Sequence, residues 1–261
     1  MTVQNDLRGG GAPLTRDTSP LDNPVWSALT GPHAHLAERS EMGVPPAEGW
    51  GRVGQAARYL DDIYAYAALA DATDPAAWND LHTLVGPGTT VKIKPVEQPP
   101  VGWEVIGGGT GVQFVDTALR AEPDPEAVPL GPDDVPEMLD LVARTEPGPF
   151  RTRTVEMGSY LGIRDRGRLI AMAGERLRVP GWTEISAVCT DPEHRGRGLA
   201  TRLVRAVAAG IRERGDTPFL HAAPDNATAI RLYESIGFTE RLRSRTLLLR
   251  SPGTTDQAGL L

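Results

Sequence analysis

The sequence predicts a mixed α/β fold of the α+β type: an N-terminal accessory domain followed by a C-terminal sheet with flanking helices. Three observations carry that expectation. After residue 128, short apolar runs alternate with segments of helical spacing, the order of strands joined by crossover helices. A proline- and acid-rich stretch at 121–127 has little to bury and divides the chain. The length of 261 residues, with 40% hydrophobic and 23% charged, suits one large domain or two small ones.

In chain order, residues 1–20 are rich in Gly, Thr, Asp and Pro and are expected to be a disordered tail. Residues 21–120 form the accessory domain. Within it, 75–85 reads as a helix, with Pro75 in its first turn and Asp74 as N-cap. Residues 89–93 read as a strand. Residues 103–106 and 112–115 flank the glycine-rich run 107–111, which suggests a hairpin. The linker is 121–127, and 128–250 is the second domain. There, 128–130 reads as a short strand, and 133–143 as a helix through Val135, Met138, Leu139 and Val142. Residues 145–156 are a loop. Strands are expected at 160–163, 168–177, 184–190, 219–222 and 242–249. Residues 198–214 form a helix with Leu199, Leu203, Val204, Val207 and Ile211 inward. Residues 226–236 form another, opened by Asn226 and closed by Gly237. Residues 251–261 are a tail.

Composition narrows the function. The net charge is −7, and residues 1–127 carry 8 basic against 17 acidic residues. General nucleic-acid binding needs a clustered basic face and is not expected. No apolar run reaches the ~18 residues that span a bilayer, and residues 1–20 lack the apolar core of a signal peptide, so the expected address is cytoplasmic. Cys189 is the single cysteine, which excludes an internal disulfide and a multi-cysteine zinc site. His33 and His35 lack an evident third ligand, and no metal is expected. Cys189 has no evident base beside it and suits packing better than nucleophilic attack. Trp78 and Trp103 read as core.

The chemistry concentrates where strand 184–190 turns into helix 198–214. Pro192 ends the strand, and Arg195-Gly196-Arg197-Gly198-Leu199-Ala200 leads into the helix. A helix start carries up to four unpaired N–H groups and partial positive charge. Glycines let that backbone approach a ligand closely, and two arginines add charge. The combination describes a pyrophosphate cradle. An ordinary glycine turn with solvated arginines is the bland alternative. A dinucleotide-binding fingerprint fits poorly, because Asp216 follows a turn rather than ending a second parallel strand.

The run Arg-x-x-Gly-x-Ala from Arg195 to Ala200 resembles the acyl-CoA pyrophosphate motif of the GNAT superfamily of N-acyltransferases. The segment 225–238, with Asn226, Ala229, Leu232, Tyr233, Gly237 and Phe238, is similar to the family's second signature. Both stand in the family's order. The resemblance covers about 128–250 and implies a GNAT-like mixed, mostly antiparallel sheet with flanking helices. The first half matches no signature, although its helix, strand and hairpin are in an order compatible with a degenerate second GNAT-like copy.

The resemblance implies an N-acetyltransferase that moves an acetyl group from acetyl-CoA to a primary amine by direct attack, without a covalent enzyme intermediate. The backbone of Val188, Cys189 and Thr190 would pair with the pantetheine arm. The N–H groups across Arg195, Gly196, Arg197, Gly198, Leu199, Ala200 and Thr201 would hold the pyrophosphate. Asn226 would contact the cofactor arm. Tyr233 is similar in position to the family's general acid, and a phenol of pKa near ~10 is protonated at neutral pH. The N–H of Val188 would stabilise the thioester oxyanion. Glu184 is either the base or a strand-end carboxylate facing solvent or pairing with an arginine; His194 is a second candidate base. Phe150 and Glu156, in the loop where this fold forms its acceptor site, are candidates for substrate contact. The acceptor is a small-molecule amine or a peptide amine, and the oligomeric state is left at monomer or homodimer. The rival reading is a non-catalytic acyl-CoA-binding sensor or scaffold.

Overall fold

The chain's two halves are joined through their longest strands. The computed structural model describes residues 17–40 and 54–253. The first half contains helix α1 (Pro24–Leu29) and strands β1 (Ala37–Arg39), β2 (Ala56–Tyr59) and β3 (Tyr66–Leu69). Helix α2 (Pro75–Val85) then crosses to β4 (Thr90–Ile93), and β5 (Glu104–Asp116) follows. The second half runs β6 (Val128–Leu130), α3 (Val135–Thr145), β7 (Tyr160–Asp165), β8 (Arg168–Val179) and β9 (Trp182–Thr190). It ends with α4 (Leu199–Glu213), β10 (Thr217–Ala222), α5 (Ala227–Ile236) and β11 (Phe238–Arg250).

Among the described residues these strands form one 11-stranded sheet in the order β1-β2-β3-β4-β11-β5-β10-β9-β8-β7-β6. Only β3–β4 and β9–β10 pair parallel, each across a helical crossover; the other pairs are antiparallel. The order of pairings is the same in both halves. From β1 and from β7 inward it reads antiparallel, antiparallel, parallel, antiparallel. The last strands are exchanged: β11 lies on β4 of the first half, and β5 lies on β10 of the second.

This exchange corrects the expected hairpin at 107–111. Residues 104–116 run as one strand because β11 pairs along their length, from Phe238 opposite Asp116 to Arg250 opposite Glu104. A glycine in a strand costs ~0.5–1 kcal/mol, which a continuous ladder offsets. The segments β1, β2 and β3 carry no strand signal in the sequence. Ala56-Ala57 and Ala67-Ala68 are poor strand formers in isolation, and burial against α1 and α2 decides their state.

The expected boundaries shift as well. Trp182 Nε1 donates to Asp17 O at 2.9 Å, and Ser19–Leu21 form a 3-10 turn, so the described end of the expected tail packs on the fold. Residues 1–16 and 254–261 of the two expected tails lie outside the described residues. Ser251 is buried; its Oγ accepts from Thr89 N and donates to Gly86 O. The expected linker is pinned to α4: Asp124 and Glu126 both accept from Arg202.

Helix α4 buries Leu199, Leu203, Val204, Val207 and Ile211 against β8 and β9, the stripe its spacing predicts. Tyr233 and Ile236 of α5 join the same core. The first turns of both helices line one cavity together with β9.

Candidate active site

Two irregularities in the β8–β9 pairing shape this end of the sheet. Met172 faces Cys189 and Gly174 faces Ser186, so Ala187 and Val188 stand together opposite Ala173. This is a bulge, and Ala187 takes φ 51° to make it. Such a backbone costs a non-glycine residue ~1–2 kcal/mol and frees amide groups from the ladder. Further along, Arg176 and Leu177 stand opposite Glu184. The Glu184 carboxylate, fully buried, takes two bonds from the Arg176 guanidinium at 2.6 and 2.8 Å and one from Leu177 N.

Where β9 ends, Asp191 caps a short 3-10 turn through Glu193 N, and Arg144 and Arg168 bind its carboxylate. The chain then turns through Gly196 and Gly198, at φ 77° and 74°. This left-handed backbone favours glycine and sets up the start of α4. The first amide to close a helical bond here is Arg202 N, onto Gly198 O. The amides of Leu199, Ala200 and Thr201 have no such partner and retain the positive end of the helix dipole.

A cavity of about 820 Å³ collects these features. It is lined by β9 from Ile185 to Thr190, the turn and helix start from His194 to Thr201, and Asn226 and Tyr233 of α5. All the residues assigned from sequence to the cofactor therefore meet in one cavity: Val188, Cys189, Thr190, Arg195, Gly196, Arg197, Gly198, Leu199, Ala200, Thr201, Asn226 and Tyr233. Asn226 also caps α5, accepting from Ala229 N at 3.0 Å. Tyr233 packs on Phe114 and Phe238, and burial pushes its phenol up to about 12. Burial likewise raises the Cys189 thiol to about 11, which keeps it a thiol at neutral pH. The size and the mix of free amides with an apolar strand face suit a nucleotide-bearing thioester.

A second cavity of about 440 Å³ adjoins the first, and the two share Arg176, His221, Ala222 and the Pro147-Gly148 loop. Much of its remaining wall comes from the first half of the chain, through Tyr64, Tyr66, Lys92, Lys94 and the Gly108–Gly111 stretch of β5, with Leu177, Thr246 and Leu248 added by the second half. Glu184 lines this second cavity rather than the first. Glu184 is buried and paired with Arg176 rather than facing solvent. Despite its burial, the Arg176 cation and the His221 contact hold Glu184 well below the ordinary carboxylate range.

His221 is a site residue the sequence reading missed. Its Nδ1 lies 2.6 Å from Glu184 Oε1 and its Nε2 3.3 Å from Gln113 Nε2. Gln113 Oε1 accepts from Arg241 and its Nε2 donates to Leu21 O, so that nitrogen is a donor. Nδ1 of His221 therefore carries the proton and Nε2 the lone pair. Burial, with Lys94 nearby, lowers this histidine to about 4 and leaves it neutral at pH 7.

Other sequence candidates lie elsewhere. Phe150 packs edge-on to Tyr160 and Glu156 pairs with Arg153; neither lines either of these two cavities. His194 lines the first cavity but contacts Asp165 at 3.3 Å, on the phosphate-turn side. His33 is buried, with Nδ1 2.9 Å from Tyr59 Oη. Trp78 and Trp103 pack against each other in the core. Among the described residues no cluster of three or more His, Cys, Asp or Glu is placed to hold a metal ion. No helix among them is long and apolar enough to cross a membrane.

Comparison with known proteins places this geometry. A family model described as FR47-like protein matches residues 160–247. The N-alpha-acetyltransferase RimI of Mycobacterium tuberculosis is 38% identical over 82 residues, 30% of this chain and 51% of that protein. The mycothiol acetyltransferase of Thermobispora bispora is 47% identical over 57 residues, 22% of this chain and 19% of that protein. The chain thus spans about half the length of one of these relatives and a fifth of the other. The solved structure of a GCN5-related N-acetyltransferase from Kribbella flavida shares the fold, with a TM-score of 0.57 at 16% identity, over 87% of this chain and 94% of that one. A solved GNAT-family structure from Novosphingobium aromaticivorans is 40% identical, covers 90% of this chain and 99% of its own, and superposes with a TM-score of 0.75. With that identity over nearly the whole of both chains, the protein belongs to the GNAT family of acetyltransferases.

Proposed function

We propose that the chain transfers an acetyl group from acetyl-CoA to a primary amine by direct attack in a ternary complex. The observation that carries this reading is the meeting of two cavities at His221 and Arg176. One has the phosphate turn, the bulged strand and Tyr233; the other has a polar wall suited to an acceptor.

The amides of Leu199, Ala200 and Thr201 bind the pyrophosphate, with Arg195 and Arg197 adding charge. The bulge at Ala187 and Val188 turns the Val188 amide toward the acyl oxygen, where it steadies the developing oxyanion. Tyr233, protonated across the neutral range, donates to the departing thiolate. The attacking amine sheds its proton to the Glu184–His221 pair: Glu184 fixes the ring through Nδ1 and stabilises the imidazolium that forms. A weak base suffices, because nitrogen becomes strongly acidic once bonded to the acyl carbon. Glu184 is thus a positioning residue, not the base itself. We also read the first half as a degenerate second copy of the fold, supported by its matching order of strand pairings, and as one wall of the acceptor site.

Calorimetric titration with acetyl-CoA tests the cradle. Aspartate tolerates the left-handed backbone better than most residues but places a carboxylate where phosphate binds. Wild type should bind, and Gly198→Asp should bind at least ~10-fold more weakly while staying folded, its unfolding midpoint lowered by only about 2–4 °C. Equal binding by both proteins would remove the cradle.

A further inference from the structure

The chain contains two lysines, Lys92 and Lys94, and both line the 440 Å³ cavity. They lie two residues apart, Lys92 in β4 and Lys94 just past its end, while the alternating Val91 and Ile93 enter the core. One strand beyond β11, the ladder partner of β4 on this side, β5 carries glycines. A Cβ at Gly111 would sit 3.7 Å from Lys94 Nζ, so the missing side chain leaves the ammonium open to the cavity.

The other charges facing the cavity are already balanced. Arg176 is matched by Glu184, and His221 is neutral. Arg176 also lies over the Tyr64 ring, Tyr64 stacks on Tyr66, and Lys92 lies over the Tyr66 ring at 4.9 Å. This tier packs two cations against aromatic faces along one wall. Among the described residues neither lysine has a carboxylate within ion-pair distance, in a protein whose net charge is −7. Burial, only partly offset by the more distant Glu184 carboxylate, lowers Lys94 to about 7. A buried cation without a partner is costly, and an anionic ligand removes that cost.

We infer that the acceptor amine carries an anionic oxygen group, carboxylate or phosphate, bound by Lys92 and Lys94 in the second cavity. The inference rests on the acetyl-transfer reading for the word acceptor, but not for the anion site. The amine end faces His221, at the wall shared with the first cavity, with Glu184 beside it; the anionic end faces β4. Acceptor specificity then resides in the first half of the chain.

The test uses the full chain with [ε-13C]lysine, which places two side-chain labels, both in the cavity. The probes are the twenty amino acids against their carboxamides, and O-phosphoethanolamine against ethanolamine. At pH 8, an acid that binds should move the Lys94 resonance toward its protonated position, while its neutral counterpart should not. In acetylation assays, kcat/KM for that acid should exceed its neutral counterpart by at least ~10-fold. Lys94→Met should collapse this ratio toward one, mainly through KM, and Lys94→Arg should restore part of it; Lys92→Met serves if Lys94→Met does not fold. Carboxylate and phosphate arms identify the anion. Lysine resonances unmoved by every anion, or neutral amines acetylated as well as acids in every pair, would overturn the inference. Movement of the resonances without any acetylation would support the anion site and instead count against acetyl transfer.

Discussion

Glu184 Oε1 lies 2.6 Å from His221 Nδ1 across the parallel seam of β9 and β10, while Arg176 grips the same carboxylate from β8. One buried carboxylate thus neutralises a buried arginine and sets the tautomer of the histidine. Glu184→Gln should do two separable things. It should leave Arg176 uncompensated and destabilise the fold by about 3–5 kcal/mol, read by urea unfolding. It should also free the histidine ring, lower kcat by about 100-fold and move the acidic limb of the rate profile. A full-strength enzyme with an unshifted profile would remove Glu184 from the proton path.

Stability should fall on mild acidification. His221 and His33 are both lowered to about 4 by burial, against 6.5 for the ordinary group. The unfolded chain takes up these protons as pH falls below about 6.5; the folded chain does so only near 4. The histidines' contribution to stability is therefore complete above that range and declines between pH 6.5 and 4, by about 2 kcal/mol per histidine at pH 5. Urea unfolding across this range should show the decline, and His221→Gln should remove about half of it. A flat profile would mean that neither ring is held neutral.

Tyr233→Phe keeps the ring packed between Phe114 and Phe238 and removes only the hydroxyl. Thiolate is a fair leaving group, so kcat should fall about 10- to 100-fold, with acetyl-CoA affinity changed less than about threefold. Parallel calorimetry and thiol-release rates read the two effects. A loss of affinity equal to the loss of rate would recast Tyr233 as a binding group.

The second half should not fold alone. A fragment beginning at residue 121 lacks β5 and leaves β10 and β11 without the strand that joins them. Two long unpaired edges should make it aggregate, whereas the full chain stays monodisperse. Size-exclusion chromatography of a well-folded, soluble 121–261 fragment would contradict this.

These features were unequally legible in the sequence. Helices α2, α4 and α5 announce themselves locally, through Asp74, Asn226, Gly198 and Gly237 at their ends and apolar stripes between. The phosphate turn is legible because its glycines serve backbone geometry. The β5 strand was not, since its glycines signal a turn until a distant ladder overrides them. The bulge at Ala187 has no residue signature at all. Lys92, Lys94 and His221 were missed because they come from strands far apart in sequence, which only the exchange of β5 and β11 brings to one cavity. Phe150 and Glu156 are legible only by loop position, and the structure places them against Tyr160 and Arg153.

The most direct measurement is release of free CoA thiol from acetyl-CoA by the purified full chain, with and without a panel of primary amines. The account predicts release that depends on the acceptor, saturates with it, and yields one acetylated amine per thiol. Binding of acetyl-CoA with no acceptor-dependent release for any amine would contradict it and leave a chain that holds the thioester without using it.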